Sequence, residues 1–172
     1  MAMSSKHIDR QRRATELSRE LRQDTTPDLR RRRRIVGLSL IASASMGVIA
    51  LYQTGIIKHL PEPPLPFLDA DRVDASAEAY AKFDTPDAVL GLASYGVTAV
   101  LAAMGGKDRA SSAPWVVLAL AGKVAFDALN ALKLSIDQPV KYRAFCFWCL
   151  IAASATFASV PQVIPEVRKA IR

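Results

Sequence analysis

Charged residues are absent from three long segments of this 172-residue chain: 35–57, 88–106 and 144–165. Each segment has about the ~20 residues that an α-helix needs to cross the hydrocarbon of a membrane. A fourth block, 113–134, is apolar except for Lys123, Asp127 and Lys133. Such blocks exclude an ordinary soluble domain, in which charged and apolar residues alternate. We therefore predict an all-α membrane protein built on a bundle of four transmembrane helices.

The positive charge of the chain lacks the features of a nucleic-acid-binding protein. The net charge is +7, and the excess is concentrated in five consecutive arginines, Arg30–Arg34, next to the first apolar block. No aromatic residues are interleaved with them, and no nucleic-acid-binding motif accompanies them. A basic cluster beside a transmembrane helix instead indicates the cytoplasmic side and contact with anionic lipid head groups. We expect membrane lipid, and no nucleic acid, among the partners.

Charge in the connections predicts the orientation of the four helices. Basic residues occur in the N-terminal arm, between the second and third helices, and in the tail: Arg30–Arg34, Lys107, Arg109, Arg168, Lys169 and Arg172. The connection between the first and second helices is instead acidic: Glu62, Asp69, Asp71, Asp74, Glu78, Asp84 and Asp87. Four crossings bring all the basic groups to one side. We expect a bacterial cytoplasmic (inner) membrane protein with both termini in the cytoplasm and an outer acidic loop.

Three regions follow from this topology. Residues 1–34 form a cytoplasmic basic N-terminal arm, in which 6–24 have the pattern of a charged helix with a thin apolar stripe. Residues 35–165 form the four-helix membrane domain. Residues 166–172 form a cytoplasmic basic tail.

The outer loop is predicted to be ordered. Its prolines, from Pro61 to Pro66, make an extended and stiff segment. Asp74 is the expected N-cap of a short helix that ends near Lys82. Thr85 and Pro86 then begin the second transmembrane helix, because proline is favoured at the first helical position.

The only two cysteines, Cys146 and Cys149, lie at the start of the last apolar segment. Their i, i+3 spacing puts both thiols on one helix face, and the predicted topology puts them on the side where disulfides form. We predict a redox-active dithiol; the alternative is two buried thiols that act only as small apolar groups. No metal site is expected, because closed zinc sites take four ligands and the only histidines are His7, in the cytoplasmic arm, and His59.

Lys123, Asp127 and Asn130 form a polar stripe on the third helix, at i, i+4 and i+7. An intramembrane Lys or Asp costs roughly 2.5 to 3.5 kcal/mol at the helix centre, so the stripe should face the bundle and pair. Two roles are open: a proton route or polar wall of a ligand pocket, and a Lys-Asp pair that holds the helices together. We favour the second.

Two segments resemble the vitamin K epoxide reductase family of four-helix membrane thiol oxidoreductases. The segment 84–92, Asp-Thr-Pro-Asp-Ala-Val-Leu-Gly-Leu, with Tyr95 is similar to the Gly-Ile-Pro-x-x-x-Leu-Gly-x-x-x-Tyr motif at the start of helix two in that family. Cys146-x-x-Cys149-Leu150 is similar to its dithiol motif. The loop residues that look like the family's are Ser76, Tyr80 and Phe83. The resemblance covers roughly residues 35–165.

The resemblance implies an enzyme that passes electrons between the dithiol and a membrane quinone, ubiquinone or menaquinone, and supports extracytoplasmic disulfide formation. It implies that Cys149 faces the quinone and that Cys146 faces an electron donor such as a thioredoxin-like protein. The N-terminus of helix four is expected to favour the thiolate. The implied quinone-binding residues are Ser76, Tyr80, Pro86, Leu90, Tyr95 and Phe145.

One departure from the family leaves two hypotheses. Members that oxidise partner proteins typically carry two further cysteines in the first outer loop, whereas this loop has Asp69, Asp71 and Asp74 and no cysteine. A relay by thiol exchange through the loop is therefore excluded. The chain is either an oxidoreductase that takes electrons directly at Cys146 and Cys149, or a catalytically degenerate membrane subunit or quinone-binding module.

Overall fold

The computed structural model describes residues 2–172, with side chains from His7 onward. The α-helices are α1 Ala2–Gln23, α2 Pro27–Gln53, α3 Ala70–Asp74, α4 Asp87–Ala103, α5 Arg109–Ser112, α6 Pro114–Asp137 and α7 Phe147–Ala170. A 3-10 turn, Ala77–Tyr80, follows α3, and a π turn, Gln138–Tyr142, continues α6. Between residues 2 and 172 no strand forms, and an isolated β-bridge joins Leu68 to Phe145. The all-α prediction is confirmed over this range.

Three helices are long and apolar enough to cross a membrane: α2, α6 with its π turn, and α7. The predicted second span, 88–106, is a shorter apolar helix, α4, of 17 residues. It ends at Ala103 because Met104 has an extended backbone and Gly105 is left-handed, with φ of 81°. Absence of charge alone therefore overestimates its length. Large apolar side chains point outward from the long helices, as with Leu129 at 67% exposed, which suits a lipid environment.

The boundaries of the predicted membrane domain, 35 and 165, do not coincide with helix ends. α2 begins at Pro27, a residue suited to the first helical turn, and runs without a break through the five arginines. One of them, Arg32, is only 2% exposed, so it does not face lipid head groups as predicted for the whole run. α7 continues to Ala170, so most of the predicted tail is helical.

The bundle is centred on α2. This helix packs along both α4 and α7, and α6 packs along α7. Small side chains allow close contact with α7, where Ala42 is buried with Ala152 and Ala155. On the α4 side, a methyl group added to Gly91 would lie 2.8 Å from Met46 Sδ. Gly91 therefore permits the close approach of α2 and α4.

One end of the bundle, which we call the arginine end, is held by Arg32, Arg109 and Glu166. Arg32 donates to all five backbone carbonyls of Ala102–Gly106, at the end of α4 and just past it, at 2.7 to 3.4 Å. Arg109 donates to both carboxylate oxygens of Glu166, at 2.8 and 2.7 Å. Cations at a helix C-terminus complement the unsatisfied carbonyls and the helix dipole. This network joins α2, α4, α5 and α7.

The opposite end is covered by residues 54–86, which we call the cap loop. Asp69, and not Asp74 as predicted, caps the short helix: its Oδ1 accepts from Arg72 N at 3.0 Å. α3 is over by Asp74, and the following turn is a separate 3-10 turn. The predicted cap lies five residues too late in the chain, because Asp69 and Asp74 are both acceptable caps. Asp74 is instead a buried residue that faces the dithiol.

Four contacts fasten the cap loop to the start of α7 and the π turn. Phe145 N donates to Phe67 O at 2.9 Å, and Asp69 N donates to Phe145 O at 3.0 Å. The Trp148 indole donates to Pro61 O at 2.7 Å, and Lys141 donates to Glu78 at 2.9 Å. The loop is therefore docked directly over the cysteine pair.

Candidate functional site

The two thiols lie where α7 begins. Cys146 is the N-cap of α7, and its Sγ accepts a hydrogen bond from Cys149 N at 3.1 Å. Its own N–H donates to the amide oxygen of buried Gln138 at 2.8 Å, which fixes the turn before the helix. Both cysteines are free, and their sulfurs lie within 4.8 Å of each other. Two free thiols at this separation can form a disulfide after a small rearrangement.

The two thiols differ in exposure. Cys146 is 0% exposed and packs in a core cluster with Leu60, Ala70 and Val73 of the cap loop. Cys149 is partly exposed and borders a cavity. The family resemblance implied that Cys146 faces a partner protein, whereas the docked cap loop covers this thiol here. Of the two sulfurs, Cys149 is the one within reach of a small molecule.

A carboxylate from the cap loop completes the site. The Cys149 thiol donates to Asp74 Oδ1, with sulfur and oxygen 3.7 Å apart. Asp74 is 4% exposed, and its Oδ2 has no hydrogen-bond partner among the described residues. Burial raises the pKa of Asp74 to about 6, and the charges of Asp87 and Glu62 act in the same direction. Asp74 can therefore change protonation state near neutral pH.

The environment of Cys146 disfavours the thiolate, contrary to the expectation from the helix N-terminus. The hydrogen bond with Cys149 lowers the pKa of Cys146, but burial and the negative charge of Asp74 raise it by more. The pKa of Cys146 consequently lies above that of an ordinary cysteine. Burial and a carboxylate neighbour outweigh the helix dipole at this thiol.

A cavity of about 430 Å³ extends from the dithiol between the helices. Its walls come from α2, α4, α6, α7 and the cap loop, and Cys149 and Asp74 lie together on its surface. The apolar wall includes Met46, Ile49 and Leu90. Its size falls within the roughly 300–1,000 Å³ typical of small-molecule sites. The dithiol therefore opens onto a space suited to an apolar ligand.

The residues predicted to bind a quinone divide into two groups. Ser76, Leu90 and Tyr95 line the cavity. The others lie outside its lining: Tyr80, Pro86 and Phe145. The Tyr80 hydroxyl donates to a backbone oxygen at 3.2 Å, and the backbone of Phe145 pairs with the cap loop.

Gln53, which was not among the predicted site residues, holds in place three residues that line the cavity: Asp74, Asp87 and Ala88. Its side-chain amide donates to Asp87 Oδ1 at 2.8 Å and to Asp74 O at 3.2 Å, and its amide oxygen accepts from Ala88 N. It thereby ties the end of α2 to α3 and α4. One sequence feature could have identified Gln53: it is the last residue of an apolar helix, and acidic residues follow it in the loop.

The polar stripe on α6 lies at the far end of the cavity. Lys123 Nζ is 2.5 Å from Asp127 Oδ1, and Asp127 also accepts from Ser94 and Thr98 on α4 at 3.1 and 2.8 Å. Asp127 and Asn130 line the cavity, whereas Lys123 is not part of its lining. The pair thus joins α6 to α4 and also forms part of the wall, so the geometry accommodates both roles considered from the sequence.

Asp74, Cys146 and Cys149 offer three ligand atoms within 4.8 Å of one another, which is close enough to bind a metal ion. A closed structural zinc site takes four protein ligands, and this cluster provides three. The cluster is explained equally well as a dithiol with an adjacent proton-accepting group.

Comparison with known proteins gives one family. A sequence model described as the Vitamin K epoxide reductase family matches residues 33–164, which is most of the chain. No significant match was found among curated proteins or solved structures. The matched range contains the dithiol, the cap loop, α4 and α6, and most of α2 and α7. The resemblance inferred from the sequence is confirmed.

Proposed function

Because the chain belongs to the vitamin K epoxide reductase family, whose members are membrane oxidoreductases, we propose that it passes electrons between the Cys146–Cys149 dithiol and a membrane quinone. The observation that carries the proposal is the position of Cys149, on the wall of a cavity of about 430 Å³ inside the bundle. A thiol that only filled space would be enclosed by side chains.

The residues around the cavity fit a quinone. Family members generally use quinones, and the apolar wall formed by Met46, Ile49 and Leu90 suits a flat ring and its tail. When bound, a quinone accepts two electrons and two protons. The dithiol supplies them: each sulfur loses its proton, a bond forms between the sulfurs, and two electrons leave. Tyr95, Ser76 and Asp74 supply polar contacts.

We also propose that α4 is a fourth span and that both termini are cytoplasmic. Its 17 residues cover about 25 Å at ~1.5 Å per residue, a modest mismatch that thinning of the bilayer accommodates. The contacts of Arg32 and Arg109 support this, because they gather the start of α2, the end of α4 and the end of α7 at one end of the bundle. Basic residues are concentrated there, as expected for the cytoplasmic side.

A second candidate, a quinone-binding subunit without thiol turnover, is favoured by one observation. Cys146 is completely buried under the cap loop, so a thioredoxin-like donor has no path to it while the loop is docked. Turnover with a protein donor therefore requires the loop to open. A small thiol that enters the cavity reaches Cys149 without that step. The two donor classes and the inactive alternative predict different results in one assay.

The assay uses the full-length protein in lipid nanodiscs with a quinone, and compares a reduced thioredoxin-like protein with a small thiol as donor. Quinol formation is followed by absorbance, after subtraction of the rate without protein. We expect turnover that Cys149→Ala reduces by at least about 100-fold. Quinone binding without turnover would support the second candidate, and a rate unaffected by Cys149→Ala would contradict the proposal.

The cavity is tested by a matched pair of neighbours on α6. Ala131 is 7% exposed and lines the cavity, whereas Leu132 is 48% exposed on the outer surface. Ala131→Trp fills the cavity and should raise KM for quinone about tenfold or more, while Leu132→Trp leaves it unchanged. Equal effects of the two substitutions would place the quinone elsewhere.

A further inference from the structure

Asp74 is a buried carboxylate without a counter-charge. Two other buried carboxylates of the bundle have basic partners, Glu166 with Arg109 and Asp127 with Lys123. Asp74 is equally buried, yet its side chain adjoins the thiols of Cys149 and Cys146 instead of a cation, and Oδ2 has no partner among the described residues. Burying an unpaired carboxylate is unfavourable, so a structural role alone would be better served by an apolar or amide side chain.

The groups that face Asp74 are acidic or neutral. Those with the largest influence are Cys146 and Cys149 at the start of α7, Asp87 of α4 and Glu62 of the cap loop, with Tyr52 of α2 near the same carboxylate. The wall of the cavity that Asp74 borders also includes Lys82 and Lys133. The acidic neighbours and burial together bring the pKa of Asp74 to about 6. A base whose pKa lies near the operating pH is suited to proton transfer.

Asp74 also connects the thiol to the ligand space. Asp74 and Cys149 border the same cavity. Asp74 Oδ1 accepts a hydrogen bond from the Cys149 thiol, with the oxygen and the sulfur 3.7 Å apart. The carboxylate can therefore receive a proton from the sulfur on one side and release it into the cavity on the other. It occupies the loop segment that carries no cysteine, so the loop contributes an acid–base group to the dithiol in place of a thiol.

We propose that Asp74 is the general base that takes the Cys149 proton during oxidation of the dithiol and delivers it into the cavity. The inference rests on the proposed function. Oxidation breaks both S–H bonds, forms the Cys146–Cys149 bond and releases two electrons and two protons. The quinone takes both electrons; the Cys149 proton reaches it through Asp74, the Cys146 proton is the second one, and the product is a quinol. Moving the first proton between adjacent groups leaves the net charge of the buried site unchanged, which avoids a further desolvation cost.

Alkylation of Cys149 tests the proposal without a quinone. The full-length Cys146→Ser variant, which keeps an acceptor at the α7 N-cap, is treated with iodoacetamide across pH 5 to 9 in the presence of a chelator. With Asp74 in place, the carboxylate and the thiol share one proton above pH 6, so labelling should inflect near pH 6 and then level off. With Asp74→Asn added, the inflection should disappear and labelling should keep rising about tenfold per pH unit, so that the variant is about tenfold faster than the Asp74 protein at pH 7.

Asp69→Asn is the matched control, because Asp69 lies on the same short helix, is exposed, and is replaced by an equally good N-cap. It should preserve the inflection. A profile that is the same with Asp74 and with Asn at this position would overturn the proposal, even if quinone turnover is observed. An intact inflection near pH 6 in a protein that reduces no quinone would instead contradict the proposed function and leave the role of Asp74 supported.

Discussion

The two ends of the bundle differ in whether their buried carboxylate has a basic partner. At the arginine end, Arg109 and Glu166 are 1% and 4% exposed and form a two-pronged ion pair. At the dithiol end, Asp74 is just as buried, but it has a thiol for a partner and a cavity beside it. Paired charges hold helices together, whereas an unpaired charge is costly to fold and is retained where protons move. The first end is built for stability and the second for chemistry.

The largest expected effect is the loss of stability when the ion pair at the arginine end is broken. Glu166→Gln leaves the buried Arg109 guanidinium without its counter-charge, so the free energy of unfolding should fall by about 3–5 kcal/mol. Thermal unfolding followed by tryptophan fluorescence measures the change. The matched control is Lys169→Ala, which removes an ion pair with Asp28 in which Lys169 is 57% exposed; it should cost less than about 1 kcal/mol. Equal losses would show that burial does not distinguish these pairs.

At the dithiol end, removing the buried charge should instead make the protein more stable. The pKa of Asp74 is raised from 3.8 to about 6, so the folded protein favours the protonated form. Its contribution to stability is complete below pH 4 and is lost as the pH rises through 6, which amounts to about 3 kcal/mol at most. Asp74→Asn should remove this dependence and make the protein more stable than the wild type at pH 8.

The measurement compares unfolding midpoints of the wild type and Asp74→Asn at pH 4.5 and pH 8, with Asp69→Asn as control. The gain in stability should be complete at pH 8 and fall to about a third of that value at pH 4.5. A variant that is destabilised at both pH values would mean that the Asp74 carboxylate is structural, and the contrast between the two ends would fail.

Several features of the two ends could be predicted from the sequence. Uncharged segments indicated the long helices, and two cysteines three residues apart at the start of one of them indicated the dithiol. The Lys123–Asp127 contact also follows from i, i+4 spacing in an apolar helix, because an unpaired charge there is unfavourable. These features depend on neighbours within one helix, where spacing in the chain fixes distance in space.

The remaining features depend on how distant segments dock. Arg32 was indistinguishable from its four arginine neighbours, and its burial arises from contact with carbonyls about 70 residues away. Asp74 was one of seven acidic residues in or next to the cap loop. Its position against Cys149, and the enclosure of Cys146, result from the loop folding back onto α7. Sequence spacing carries no information on either contact.

A third, smaller effect concerns the middle of the bundle, where Lys123 is paired but Asp127 lines the cavity. Lys123→Met should lower the unfolding free energy by about 2 kcal/mol, since Asp127 keeps its hydrogen bonds to Ser94 and Thr98. KM for quinone should change less than about twofold if the pair only stabilises packing. An increase of tenfold or more in KM, with little loss of stability, would assign this pair to the ligand site. The site would then reach from the dithiol end to the centre of the bundle.

The smallest effect concerns access to Cys146. Lys141 and Tyr142 both donate to Glu78, at 2.9 and 3.0 Å, and these exposed contacts pin the cap loop beside the π turn. Glu78→Gln weakens them, so the loop should open more often and alkylation of Cys146 should accelerate by less than about fivefold. Labelling of Cys149 should stay the same, because the cavity already reaches that thiol. Parallel acceleration at both cysteines would indicate general loosening of the bundle. A selective increase at Cys146, matched by faster turnover with a protein donor but not with a small thiol, would identify loop opening as the step that admits the protein.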